Sequence, residues 1–108
     1  AVEKYRTLKP AFYEHIPLFM SLMFYVPRPQ SHTNKRGQPT KAWRAYPTSK
    51  PDLSNYIKGI EDALNGIAYH DDAQIVSESP HKRYADGIEP CVRIQIREVK
   101  GGIAIDAV

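Results

Sequence analysis

The sequence predicts an α+β domain, a small mixed or antiparallel sheet with helices packed on it, and three observations carry that prediction. Residues 18–26 alternate so that Leu18, Met20, Leu22, Phe24 and Val26 share one face, the period of a core strand. Residues 52–65 place Leu53, Ile57, Ile60 and Leu64 at helical spacing and so make one buried stripe. Residues 73–85 and 90–99 read as two further strands, and the Asp86-Gly87 turn between them predicts a hairpin over 73–99.

The elements follow in order. Residues 2–8 have the pattern of a helix end that Pro10 stops. After the first strand, residues 27–51 hold five prolines, one glycine and six basic residues, which predicts a long loop. Loops of that length in small domains are usually functional or mobile. The helix over 52–65 opens at Asp52, whose carboxylate is placed to cap the orphan amides of the first turn, and Asn65-Gly66 supplies its stop. In the last strand Val92, Ile94 and Ile96 alternate with Arg93, Gln95 and Arg97, so one face is buried and the other basic. The tail GGIAIDAV has the pattern of a short final strand. A chain of 108 residues suits one domain with one core, expected over 1–108, and at this size association into a dimer is a natural remedy for marginal stability. The chain begins at Ala1 without Met, and a missing N-terminal part is expected.

Charge is unevenly placed. Residues 1–50 carry nine Lys/Arg against two Glu, a net +7, while residues 51–108 carry six Lys/Arg against ten Asp/Glu, a net −4. No acid lies between His15 and Pro51. Such a half suits a polyanion, nucleic acid first, or else is a solvated basic face; charge alone leaves both open. The richest apolar run, LFMSLMFYV, falls far short of the roughly 20 residues that span a bilayer. Cys91 is the only cysteine, so no intrachain disulfide forms and a reducing compartment is expected.

The acids offer the most chemistry. Asp52 has a sufficient local role as a helix cap, and Asp71-Asp72 one as a solvated turn. Together they suggest more, because magnesium prefers carboxylate oxygens and a few waters. Two or three Asp around an open position would hold the ion on a phosphate and activate a water. On the polar side of the helix lie Asn55, Lys58 and Asp62, and Lys58 is placed to stabilise charge building on phosphorus. Zinc is disfavoured, since one Cys and His15, His32, His70 and His81 show no ligand spacing and each His reads as a surface or loop residue. Cys91 has no base near it in sequence, and there is no glycine-rich phosphate loop. Trp43 and Tyr46, set within the basic loop, fit either base stacking or anchoring of the loop on the core.

The stretch KPDLSNYIKGIEDALNGIAYHDDAQIV, preceded by FYVPRPQSH and followed by KRYADG and VRIQI, closely resembles the RusA family of Holliday-junction resolvases from bacteria and their phages. The likeness runs from roughly Leu18 to Val99. It implies a RusA-like, dimeric fold and a magnesium-dependent endonuclease, with manganese able to stand in, that nicks two opposed strands of a four-way junction. Its setting would be recombination and repair in the cytoplasm of a bacterium or a phage-infected host. Asp52, Asp72 and Lys58 match the family's catalytic positions; Asp52, Asp71, Asp72 and Ser54 stand at its metal positions; Asn55 and Asp62 lie beside them. Arg28, Lys35, Arg36, Lys41, Arg44, Lys50, Lys82 and Arg83 are the expected DNA contacts. Two departures stand out. Ser54 replaces the second Asp of the motif, and the strand usual near the family's N-terminus has no evident counterpart. The alternatives are a non-catalytic branched-DNA-binding dimer whose metal site Ser54 has weakened, and an endonuclease of broader branched or flap specificity.

Helix geometry adds an expectation about assembly. A helix over 52–65 is about 20 Å long, with Asp52 at its start and Asp71-Asp72 just after its end. Antiparallel helices in a two-fold dimer would put Asp52 of one chain beside Asp72 of the other, so a metal site shared between subunits is expected.

Overall fold

The computed structural model describes residues 12–99. Strand β1 (Leu18–Val26) comes first, then a long loop, helix α1 (Leu53–Leu64), strand β2 (Ile75–Tyr84) and strand β3 (Cys91–Glu98). The strands form one sheet in the order β2-β1-β3. β1 is parallel to β2, from Leu18 opposite Ile75 to Val26 opposite Tyr84, and antiparallel to β3, from Leu18 opposite Glu98 to Tyr25 opposite Cys91. The sheet is therefore mixed, within the α+β class.

The hairpin expected over 73–99 does not form. β2 and β3 lie on opposite sides of β1, and the chain between them crosses its end, where the Ala85 amide donates to the Val26 carbonyl at 2.7 Å. The reason is physical. β1 is the most apolar strand and lowers its cost of burial only with both of its hydrogen-bonding edges paired. The α1 crossover delivers β2 parallel to β1, as parallel pairs require, and leaves the other edge to β3. Strand bounds also contract. Asp72–Gln74 form a 3-10 turn before β2, and a bulge after the Leu18–Ile75 pair leaves Val76 without an opposite residue. The helix expected over 2–8 and the strand expected in the tail lie outside the described residues.

One face of β1 makes the core. Leu18, Met20 and Leu22 are fully buried and Phe24 nearly so. Leu53, Tyr56, Ile57, Ile60 and Leu64 of α1 pack on them, joined by Val92 and Ile96 of β3, and the Tyr56 ring stacks on Phe24 with centroids 5.0 Å apart. Ile94, at the same parity in β3, stays 39% exposed because α1 leaves that edge partly uncovered. At the helix end, Gly66 adopts φ +80°, a left-handed turn that favours glycine, and its amide donates to the Tyr69 carbonyl. The Tyr69 side chain is fully buried, and its hydroxyl donates at 2.9 Å to the Glu61 carbonyl, which also accepts the Asn65 amide.

Asp52 occupies the N-cap position, yet its carboxylate accepts no capping hydrogen bond. It turns instead to the Lys50 ammonium at 3.0 Å, correcting the expectation that it caps the first turn. An ammonium two residues away offers a full positive charge, against the fractional one of the exposed amides.

Leu22, at the middle of β1, tests the central role of this strand. Leu22→Ala should cost about 2–5 kcal/mol in urea unfolding, the range for a fully buried leucine, and Ile94→Ala much less. A loss below about 1 kcal/mol at Leu22 would contradict a core centred on β1.

Candidate functional site

Two groups of charge flank the core. At the C-terminal end of α1 the structure gathers acids. Asp71 caps the following 3-10 turn: its carboxylate accepts the Ala73 amide at 2.9 Å, and the Gln74 side-chain oxygen accepts the Asp71 amide at 3.1 Å, closing a reciprocal box. Asp72 follows. Its carboxyl lies above the ordinary range, first through a hydrogen bond with Asp71, then through burial and the negative charge of Asp71, Glu61 and Asp62. Glu61 is pushed up to about 7 by a hydrogen bond with the Glu78 carboxyl of β2, by burial and by the charges of Glu78 and Asp62. Tyr69 beneath them is pushed up to about 12, chiefly by burial.

Glu61 and Glu78 are not among the residues expected from the sequence. Glu61 reads as one more polar helix position, and Glu78 meets it only because the parallel register puts Glu78 opposite Met20. Gln74 is likewise new. It is buried, its amide nitrogen donates to the Tyr13 and Ile16 carbonyls, and its oxygen accepts the His70 and Asp71 amides. The acidic turn is thereby clipped to the chain entering β1.

The other motif residues sit apart. Asp52 stands at the N-terminal end of α1, and the twelve residues of that helix rise about 18 Å. Asp52 is not among the charges acting on Asp72. Ser54, Asn55, Lys58 and Asp62 are exposed on α1. Among the described residues no three Asp, Glu, His or Cys side chains converge as a metal site. The donors around Asp72 are all oxygens, which fit a hard cation in kind but make only part of a coordination shell.

The basic loop is organised around Arg28. Its guanidinium donates twice to Asp86, at 2.8 Å each, and also to the Arg44 carbonyl at 2.7 Å, and it meets His32 Nδ1 at 2.9 Å. It lies between the rings of Trp43 and Tyr84, 3.8 and 4.1 Å from their centroids. Arg28 in turn holds the Asp86 carboxyl below its ordinary value, mainly by hydrogen bonding. His32 lies in the loop, one of the two settings expected for the histidines, but is buried there, with its ring edge-on to Tyr84. Trp43 thus anchors the loop, of the two roles open to it.

Lys82 Nζ donates to the Ser49 and Pro51 carbonyls, fastening the loop's end to β2. Arg28 and Lys82, both expected to meet phosphates, donate to groups of the protein itself. Arg44 folds back onto the Lys41 and Trp43 carbonyls, Lys50 pairs with Asp52, and Arg83 lies over the Tyr46 ring at 4.9 Å. Lys35, Arg36 and Lys41 remain exposed toward the loop tip.

Comparison with known proteins follows the same residues. A family model described as Endodeoxyribonuclease RusA matches residues 2–97. An uncharacterized protein of Bacillus subtilis (strain 168), YqaN, is 42% identical over 85 residues, which is 77% of this chain and 58% of that protein. A protein of Lactococcus phage r1t named crossover junction endodeoxyribonuclease rusA is 33% identical over 69 residues, 63% of this chain and 46% of that protein. The chain thus spans about half the length of these curated relatives. No solved structure matches it.

The Glu61–Glu78 pair has a measurable consequence. A carboxyl raised above its unfolded value stabilises the fold in its protonated form. That contribution is complete below about pH 4.5 and is lost as pH rises through about 7. Because the pair is only partly buried, solvent screening keeps the effect modest. Wild-type stability in denaturant should decline from pH 5 to pH 8, and Glu61→Gln should flatten that decline. Parallel profiles for the two proteins would show that the pair does not share a proton.

Proposed function

The chain belongs to the RusA family of endodeoxyribonucleases, and from that premise we propose that it resolves four-way DNA junctions by paired, magnesium-dependent nicks in opposed strands, acting as a homodimer. One observation carries the reading. The motif residues stand on the solvent side of α1 and on the turn before β2, while the apolar side of α1 packs on the sheet.

Asp52 and Asp72 would be the principal carboxylate ligands. Asp71 is occupied as a turn cap and serves to orient Asp72. The Ser54 hydroxyl contributes no charge, but it can hold a water or a phosphate oxygen. When bound, magnesium, or manganese in its place, supplies charge neutralisation at the phosphate and acidifies a water. Lys58, on the same exposed helix, offers positive charge to the developing oxyanion. Asn55 and Asp62 flank it and restrain its approach. Lys35, Arg36 and Lys41 contact phosphates and position the junction arms without reading sequence.

The separation along α1 supports a site completed across a two-fold axis. Asp52 and Asp72 of one chain stand at opposite ends of a helix of about 18 Å, and antiparallel helices from two chains bring the unlike ends together twice. Two such sites suit a substrate in which two strands are cut.

Asp52→Asn and Asp72→Asn should each reduce nicking of a synthetic four-way junction at least a hundredfold, while junction affinity holds or tightens because repulsive charge is gone. Mixing the two inactive variants separates the assemblies. A shared site regenerates one intact centre per mixed dimer and restores single nicks; a site within one chain leaves every centre damaged. Junction binding without nicking in the wild type would favour the non-catalytic alternative. Ser54→Asp should raise activity at low magnesium. Replacing Lys35 and Arg36 with Gln should flatten the salt dependence of binding by about one to two units in log–log slope.

A further inference from the structure

We propose that the face of the sheet opposite α1 is a second phosphate-binding surface, which carries a duplex arm onward from the basic loop; it rests on the DNA-binding reading above. Strand register defines this face. It presents Phe19 and Tyr25 from β1, His81 and Arg83 from β2, and Arg93 and Arg97 from β3. No Asp or Glu occupies any strand position of this parity, whereas the α1 side carries Glu78 and Glu98 together with the acids of the helix. The strands' acids thus share the α1 side with a single strand cation, Lys82, while every strand arginine lies on the other side. Among the described residues no helix covers the arginine side.

The arginines are arranged for phosphate rather than for bases. Arg97 lies over the Phe19 ring at 4.7 Å and Arg93 over the Tyr25 ring at 5.1 Å. Each guanidinium covers the ring that a base would otherwise stack on, so the rings act as supports that hold the cations above the sheet. Arg93 and Arg97 are exposed, and in β3 Gln95 lies between them on the same face. A guanidinium held over a ring has lost some of its rotamer freedom before any ligand arrives, which lowers the entropic cost of binding.

The surface has the right length and position. From Phe19 to Tyr25 it extends about 20 Å, the rise of about six nucleotides on one strand of B-form DNA. At the Tyr25 end it reaches Arg83, which lies over Tyr46 of the basic loop, so the two surfaces join without an intervening acid. The occupant this charge fits is the sugar–phosphate backbone of a duplex arm, bound without regard to sequence.

The test uses the full chain carrying Arg93→Gln and Arg97→Gln, a fluorescently labelled four-way junction, and anisotropy titrations between 0.05 and 0.3 M salt. Loss of two phosphate contacts flattens the log–log slope by about 1.8 units and weakens binding about thirtyfold at 0.15 M salt. The effect should add to that of Lys35→Gln with Arg36→Gln. An unchanged slope overturns the proposal. If the melting temperature then falls, the chain's own termini cover the face; if sedimentation shows a changed oligomeric state, a second copy does. The single variant Arg83→Gln, at the junction with the loop, gives an independent reading should the double variant fold poorly. Absence of junction binding by the wild type would overturn the DNA-binding reading and this proposal together. Binding that responds to the loop variants and ignores the arginines would overturn only the proposal.

Discussion

Everything in this fold depends on β1 having both of its edges paired. Leu18, Met20, Leu22 and Phe24 give it a face that must be buried, and nine residues of backbone amides and carbonyls must be satisfied on either side. β2 and β3 meet the second demand, and α1 meets the first. Once these are in place, the ends of α1 and the start of β2 have fixed positions, and so have the acids they carry. The candidate chemistry is built on the rim of a core that one strand defines.

The polar groups follow from that frame. Gln74, buried where β2 begins, satisfies two carbonyls and two amides at once, and this lets a pair of adjacent aspartates be held in a defined turn. Arg28 does the same for the loop after β1, joining Asp86, His32, Trp43, Tyr84 and Arg44 through one planar group. A lysine could not take its place, because the contact uses a bidentate fork and two ring faces together. These two side chains hold an acidic corner at one end of the helix and a basic loop beyond the end of the strand.

Periodicity made β1 and α1 legible in the sequence, since each buries one face and repeats at its own period. The motif acids and Lys58 were singled out by resemblance; on the structure Asp52, Asp71 and Lys58 stand exposed and Asp72 is half-buried. Strand order was not legible, because Asp86-Gly87 signals a turn without saying which strand pairs with which. Local pattern also misplaced the Asp52 carboxylate, since a cap and an ion pair with Lys50 are equally short-range choices. Glu61 and Glu78 meet only through a parallel register between distant segments. Arg28 and Lys82 carry the charge expected of DNA contacts, yet their partners are aromatic rings, an aspartate and carbonyls that charge counting does not reveal.

The arrangement of strands also sets how this chain must fold. No two paired strands are joined by a tight turn: Leu18 meets Ile75 on one side and Glu98 on the other, so every ladder joins segments more than fifty residues apart. Loop-closure entropy is therefore spent before any sheet contact repays it, and only α1 can form early from local interactions. Folding should be slow for a domain of this size, with the apolar β1 exposed until both partners arrive, and such a strand is prone to pair with other chains while it waits. The loop that Arg28 and Lys82 fasten lies within the β1–β2 connection, so those two side chains shorten the effective span to be closed. In that sense the side chains that hold the basic loop still also guide the sheet to its register.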